Sequence, residues 1–513
     1  MTQAADEKSH VKGAEDYLAS VRDGRQVFYQ GEQVEDVVTH PATGRGVMSI
    51  ADIYEDQLRP GTEDLLTYVR DDGARVSAAY FVPRSKADLE WRRKGIEYVA
   101  RKTFGMFGRG IDMISTSIVG YVSELPTFER ECPEFAKNIE QYRLFAEENN
   151  THMGATIVDP QGYHARASGT ADTEAPPERA TLSIVKEDSS GIWISGVKGV
   201  GTAVPQAHEI VVGGFHPPRD EESFWVVLPV NADGIRMYCR EMVHDPTSTA
   251  RMHPLDVKGE EIEAIVAFDN VFVPRERILS MKKKQLHGVN FYNVLARHEH
   301  WYTFVRTTAR AELLAGLAQL VVDTLELGEI PLVRQRVSKI FRWAAACRAF
   351  IIASEELAEF SEGGVMTPDT AMISAGRAHA LELYPEMVHA IRDICGQGLI
   401  FRFDDRDLES PAAFGKNLSW FLDTRTVSAR DKNMVMNLVW DAVASSHAMR
   451  VELFEESNAL NVPFLLERVY NEYDRDAAIA ECRAVIGLAT DEKQDYVHEI
   501  EQTWADRKKR GEY

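Results

Sequence analysis

The sequence predicts an α+β chain in three zones: an N-terminal, mainly helical domain over residues 1–148, a middle antiparallel β-barrel or sandwich over 149–284, and a C-terminal four-helix bundle with a tail over 285–513. Two changes in the period of the apolar residues predict this order. The spacing turns from helical to strand-like after Asn149 and back to helical after Gly288. A length of 513 residues, which exceeds what one hydrophobic core serves, is the third observation.

In the first zone Ala87 to Lys102 and Glu134 to Asn149 carry the helical period, and His40-Pro41 and Arg59-Pro60-Gly61 punctuate the chain as turns. The middle zone consists of short β-rich runs separated by Gly, Pro and Asp: Ala155 to Val158, Ala180 to Val185, Ile192 to Val200, Glu209 to Val212, Phe224 to Leu228, Gly234 to Tyr238 and Ile262 to Phe272. In the third zone four long helical segments imply a bundle, His298 to Leu327, Val333 to Phe360, Thr370 to Cys395 and Val427 to Glu456. Pro385 is expected to kink or break the third of them.

With 58 Lys+Arg against 80 Asp+Glu the net charge is −22. Such a surface repels phosphate backbones and anionic headgroups, which argues against nucleic-acid and membrane partners. The most apolar stretch, around Leu313 to Val322, is well short of the roughly 20 residues of a membrane helix. Five cysteines at wide spacing, an odd number without a CxxC pair, indicate a reducing compartment. Met1 to Val11 is polar and reads as a loose arm and not a signal peptide, so a cytoplasmic location is expected. No GxGxxG turn or P-loop is present, so NAD(P)H is not expected to bind here. A di-iron bundle is disfavoured because Glu386 to His389 is the only Glu-x-x-His pair in the bundle. His298 and His300, two apart on a helix, point to nearly opposite sides and cannot share one metal ion.

The order helical, β, bundle resembles the acyl-CoA dehydrogenase-like flavoproteins, as do two local segments. Ser195-Gly196-Val197-Lys198-Gly199-Val200-Gly201-Thr202 is similar to the strand whose terminal threonine meets the isoalloxazine, and Phe268-Asp269-Asn270-Val271-Phe272-Val273-Pro274 to the strand that closes the β domain. Within that superfamily the chain resembles the 4-hydroxyphenylacetate 3-hydroxylase family over nearly its whole length. The resemblance is carried by Tyr17 to Arg25, Val34 to Pro41, Gly108-Arg109 with Asp112, Ile157 to Gln161, Arg310 to Gly316 and Leu438 to Ala442. Val158-Asp159-Pro160-Gln161 and Arg310-Ala311-Glu312-Leu313 look closest to the halophenol and nitrophenol hydroxylases.

The resemblance implies the oxygenase component of a two-component monooxygenase. A separate NAD(P)H:flavin reductase supplies FADH2, or FMNH2, which with molecular oxygen forms a C4a-hydroperoxide that a phenolic ring attacks. It also implies a homotetramer. Arg109 then favours the bound phenolate, His300 takes the phenol proton, and Thr202, after Gly201, meets the flavin N5 edge. Gln161 and Arg450 join Gly201 and Thr202 as flavin-contacting candidates, while Met113 and Ala155 line the substrate pocket. Asp112 is expected only to cap a helix. Hydroxyphenylacetate enzymes carry a tyrosine at the position of Met113 and a histidine at that of Ala155, so the substitutions argue against 4-hydroxyphenylacetate as substrate. The five cysteines do not supply the ligand positions of the related iron-sulfur dehydratases. Two other classes stay open, an acyl-CoA dehydrogenase-like enzyme with a glutamate base and a non-catalytic flavin or ligand binder.

Overall fold

The computed structural model describes residues 8–160, 181–214, 219–411, 413–457, 460–486, 488 and 496–510. In the first zone the helices Gly44–Asp56, Lys86–Lys102, Met113–Ser123 and Pro133–Glu148 dominate. Lys86–Lys102 begins where the Ser85 hydroxyl accepts the Asp88 N–H at 3.1 Å, a cap that contributes about 1 kcal/mol, and it ends on Arg101 and Lys102, charges that suit a helix C-terminus. Four short strands accompany the helices, β1 (Val27–Tyr29), β2 (Glu32–Gln33) and the hairpin β3 (Thr67–Val69) and β4 (Arg75–Ser77).

The middle zone supplies β5 (Met153–Thr156), β6 (Ser183–Asp188), β7 (Gly191–Thr202), β8 (Glu209–Val212), β9 (Phe224–Pro229), β10 (Ile235–Cys239), β11 (Glu263–Pro274) and β12 (Ile278–Met281). They form two open sheets, β2-β1-β10-β11-β7-β6 and β12-β9-β8-β5. The arrangement is therefore not a barrel. Nor is it wholly antiparallel, because β1 pairs parallel with β10 and β5 parallel with β8. The first parallel pair arises because β1 comes from the helical zone, beyond the reach of a hairpin. β11 alternates between buried Ala264, Val266 and Phe268 and outward residues such as Ile265, the pattern of a sheet with one wet face. An isolated bridge between Val158 and Gly199 ties the two sheets together.

In the third zone the long helices are His300–Thr324, Pro331–Glu356 and Thr370–Cys395. The last runs unbroken through Pro385, since Leu381, Tyr384 and Met387, buried around it, hold the segment helical despite the missing N–H. The expected fourth helix is two, Ala429–Val443 and Ser446–Ser457. The chain breaks at Ala444, and the Ser445 hydroxyl accepts the Ala448 N–H at 3.0 Å to start the second. Ahead of His300, residues Val289–Glu299 wind as a π-helix. One continuous core runs from Tyr17 in the first zone to Val451 in the last. No helix among the described residues is long and apolar enough to cross a membrane.

Candidate active site

Arg109 lies in the loop between Lys86–Lys102 and Met113–Ser123, and the backbone of this loop is held from two sides. The buried carboxylate of Glu261, just ahead of β11, accepts three successive N–H groups, Gly108 at 2.6 Å, Arg109 at 3.0 Å and Gly110 at 2.7 Å. Such convergence on one anion needs a sharp turn, which Gly110 makes at φ +57°. Gly108 serves differently, because a Cβ there would lie 2.0 Å from the Phe454 ring. From the opposite side the Tyr302 hydroxyl donates to Asp112 Oδ1 at 2.6 Å, and Arg92 Nη2 donates to Asp112 Oδ2 at 2.5 Å. Asp112 thus makes no side-chain cap, contrary to expectation. Its carboxylate is the centre of a buried bridge between two helices.

With the backbone fixed, the Arg109 side chain faces a cavity of about 280 Å³, which it shares with Thr202, His300, Glu299, Ala155 and Phe454. Ile114, Ile157, Val211 and Leu295 make much of the remaining wall apolar. The volume is close to the low end of small-molecule sites, about 300–1,000 Å³. Several polar atoms at this wall are buried without a hydrogen-bond partner among the described residues: Arg109 Nε and Nη1, Thr202 Oγ1, His300 Nδ1 and Trp225 Nε1. Buried polar groups are nearly always paired, so a wall of orphans points to a ligand. A flat heteroaromatic with hydrogen-bonding edges, as a flavin is, fits this set.

Electrostatics divide the groups. Burial pulls the Arg109 pKa down, while the carboxylates of Glu299, Glu261 and Glu263 oppose it, and a guanidinium remains charged in any case. Burial also drives the His300 pKa well below its ordinary value, and the charges of Arg377 and Arg468 add to this. His300 is consequently neutral and a weak proton acceptor. Glu299 moves the other way: burial raises it to about 7, against the pull of Arg109 and Arg377.

The structure brings Arg109, His300, Thr202 and Ala155 to one cavity. Met113 is fully buried but is not part of the wall, a correction to its expected place. Ile114 and Ser117, three apart on the same helix and so on one face, line the cavity instead. Gly201 also stays off the wall, and a Cβ there would crowd the Ala264 carbonyl at 3.1 Å, so this glycine lets β7 pack closely on β11. Arg450 lies behind Phe454, its charge centre 4.9 Å from the ring, and donates through Nη2 to the Glu261 carbonyl at 2.8 Å and to Glu263. Its Nε and Nη1 are buried without partners among the described residues. Gln161 lies outside the described residues. Sequence reasoning missed Glu299 and Glu261. Glu299 stands between two histidines that drew the attention, and the only signal for Glu261 was an acidic pair directly ahead of an apolar strand.

A helical zone, two packed sheets and a helical bundle, with a pocket of unpaired polar groups at their junction, define an acyl-CoA dehydrogenase-like fold. The oxygenase component of 4-hydroxyphenylacetate 3-monooxygenase, solved with FAD and 4-hydroxyphenylacetate, matches at a TM-score of 0.85 and 26% identity, covering 93% of this chain and 98% of that one. The chain belongs to the 4-hydroxyphenylacetate 3-hydroxylase family, matching its N-terminal description over residues 13–280 and its C-terminal description over residues 289–487. It is 30% identical to the oxygenase component of 4-nitrophenol 4-monooxygenase/4-nitrocatechol 2-monooxygenase of Rhodococcus opacus, over 94% of this chain and 92% of that protein. To the 2,4,6-trichlorophenol monooxygenase of Cupriavidus pinatubonensis it is 32% identical over 77% of each. An archaeal 4-hydroxybutyryl-CoA dehydratase from N. maritimus, at TM-score 0.83 and 17% identity over 94% of this chain and 96% of that one, shares the fold.

Proposed function

We propose that this chain is the oxygenase component of a two-component flavin monooxygenase that hydroxylates a phenol of the halophenol or nitrophenol type. The observation that carries the reading is the convergence of a buried guanidinium, a neutral imidazole and an unpaired threonine hydroxyl on one apolar-walled cavity. Bound reduced flavin, FADH2 or alternatively FMNH2 from a separate NAD(P)H-dependent reductase, supplies the activation of molecular oxygen.

The residues of the chain do the rest. Thr202 Oγ1 donates to the flavin edge, and Arg450 reaches toward the flavin or its diphosphate from behind Phe454. Arg109, held by its backbone, donates Nε–H and Nη1–H to the phenol oxygen and favours its ionised form. His300, neutral, hydrogen-bonds the same oxygen and sets the tilt of the ring. Ala155 leaves room for a ring substituent, and Ile114, Ile157, Val211 and Leu295 keep water from the reacting carbon. The protein works in the cytoplasm as a homotetramer, a state favoured by the exposed Ile400, in a turn, and the exposed Trp420 and Phe421 on the helix Ala413–Leu422. Sedimentation at micromolar concentration checks the assembly.

The deciding experiment is oxygen uptake by the chain given chemically reduced FAD, with and without a panel of chlorophenols and nitrophenols. Hydroxylated product is expected for at least one of them. No product across the panel overturns the reading. Glu299 lends the one specific support to a second reading, α-proton abstraction from an acyl thioester, which predicts anaerobic bleaching of oxidised flavin by an acyl-CoA.

A further inference from the structure

Three tryptophans are almost wholly buried, and two of them have partners for the indole N–H. Trp301 Nε1 donates to Glu355 Oε1 at 3.3 Å, and Trp343 Nε1 to the Ala380 carbonyl at 3.2 Å. Trp225, 2% exposed, is the third, and its Nε1–H is buried without a partner among the described residues. Unlike the other two, Trp225 lines the cavity. None of the roles assigned to the phenol oxygen or the flavin edge uses it. A buried donor left unpaired costs about 1–3 kcal/mol, so one kept at a cavity wall points to a ligand atom that accepts from it.

Strand register sets where the indole stands. In the sheet β12-β9-β8-β5, Ala155 of β5 pairs with Val211 of β8, and Val211 with Val227 of β9. Trp225, two positions before Val227, therefore stands on the same face as Ala155 and Val211, and all three line the cavity. Its ring is held from the neighbouring strand. A Cβ at Gly213 would lie 2.4 Å from Cδ2 and 2.6 Å from Cε2, the atoms at the fusion of the two indole rings, so the indole lies across the bare backbone of that glycine. Thr202, the group proposed for the flavin edge, belongs instead to β7 in the other sheet.

We infer that Trp225 Nε1–H donates to a ring substituent of the phenol, and that this substituent is an uncharged acceptor, a nitro group above all. The inference rests on the phenol-hydroxylase reading and narrows its substrate. The guanidinium of Arg109 is taken by the phenol oxygen, and Ala155 and Val211 beside the indole offer no counter-charge, so a carboxylate at this end would be buried unpaired. A water would find one donor and apolar side chains where a buried water needs several polar partners. A nitro oxygen asks for a single good donor and no counter-ion. Chlorine, a far weaker acceptor, would leave the N–H nearly unpaired. Arg109 and His300 hold the ring oxygen from the loop and the bundle, and Trp225 holds the substituent from the sheet. Fixed at two ends, the ring presents one carbon to the flavin.

The test uses the full chain saturated with reduced FAD under anaerobic conditions, and two phenols of like outline, 4-nitrophenol and 4-isopropylphenol, whose dissociation constants are read by equilibrium dialysis. Trp225→Phe keeps an aromatic ring at the wall and removes the N–H. It is expected to weaken 4-nitrophenol about tenfold, the worth of one hydrogen bond to a buried donor. Binding of 4-isopropylphenol is expected to stay the same or tighten, because no donor is then stripped of water, and the affinity for reduced FAD is expected to stay that of the unmodified chain. Should Trp225→Phe misfold, ultraviolet resonance Raman spectra of the unmodified chain serve in its place, with the indole N–H band expected to shift on binding 4-nitrophenol and to stay put on binding 4-isopropylphenol. Equal losses for the two phenols, an unchanged affinity for 4-nitrophenol, a loss of reduced-FAD affinity, or an indole band indifferent to 4-nitrophenol each overturns the inference and leaves the phenol-hydroxylase reading standing. Failure of the unmodified chain to bind either phenol overturns both.

Discussion

Glu299→Gln should change the pH dependence of stability in a direction set by the burial of this carboxyl. The folded-state carboxyl titrates at about 7 against an ordinary 4.5, which corresponds to about 3 kcal/mol of folding free energy. Below 4.5 the group is protonated in both states and costs nothing. Between 4.5 and about 7 the unfolded chain gives up a proton that the folded chain keeps, so stability falls as pH rises through this window. Above it the full penalty remains. Glutamine cannot ionise, so the stability of the variant minus that of the parent should grow by about 3 kcal/mol from about pH 4 to about pH 9. For a chain of 513 residues melting as one unit this is about 3 °C in Tm, and more if a smaller part melts on its own. Differential scanning of both proteins along the pH series measures it. A difference that stays constant across pH would show that Glu299 titrates normally, and the argument from burial would be refuted.

Arg109→Ala should lower the rate of phenol hydroxylation by about 10² to 10³ while oxygen is still consumed and leaves as hydrogen peroxide. Unchanged coupling of oxygen to product would remove Arg109 from the phenol. Thr202→Val should weaken binding of reduced flavin up to about tenfold, the worth of one hydrogen bond, with Thr202→Ser close to the parent. Equal affinities for all three, measured by anaerobic titration, would deny the contact. Arg306→Met leaves the carboxylate of Glu455, which Arg306 Nη2 meets at 2.8 Å, buried with the Thr307 hydroxyl at 3.3 Å as its one remaining hydrogen bond among the described residues and the charges of Arg310 and Arg377 nearby, and should destabilise by about 3 kcal/mol. A loss below about 1 kcal/mol in denaturant titration would mean that water reaches Glu455.

Where local chemistry decides, the sequence was sufficient. Glu209–Val212 and Thr370–Cys395 were legible to the residue, the latter because Asp369 accepts the Met372 N–H at 2.8 Å and Gly396 follows with φ +52°. Motif resemblance singled out Arg109, Thr202 and His300, and all three line one cavity. What was not legible depends on distant partners. The parallel pairing of β1 with β10 leaves no mark in β1, whose three residues read only as a short apolar run. Ser445 could have announced the helix break, since a serine pair inside a helical period favours a cap over an interior position. The π-winding of Val289–Glu299 hides because its residues fit a helical period closely enough. Glu299 was invisible for a related reason: a glutamate at a helix start is ordinarily solvated, and only the packing of the bundle against β7 and the Arg109 loop buries it.

The grip of Glu261 on the Arg109 loop also has a meaning in time. Gly108 and Glu261 are 153 positions apart, and Arg450 and Glu261 a further 189. Closing loops of that length costs entropy before any contact returns it, so such contacts form late. Arg109 therefore acquires its pose only when residues from all three zones have met, and a nascent or partly refolded chain has helices but no flavin pocket. Flavin capture during refolding should lag behind the recovery of helical circular dichroism, and a chain that holds flavin has, by that fact, passed its own assembly inspection.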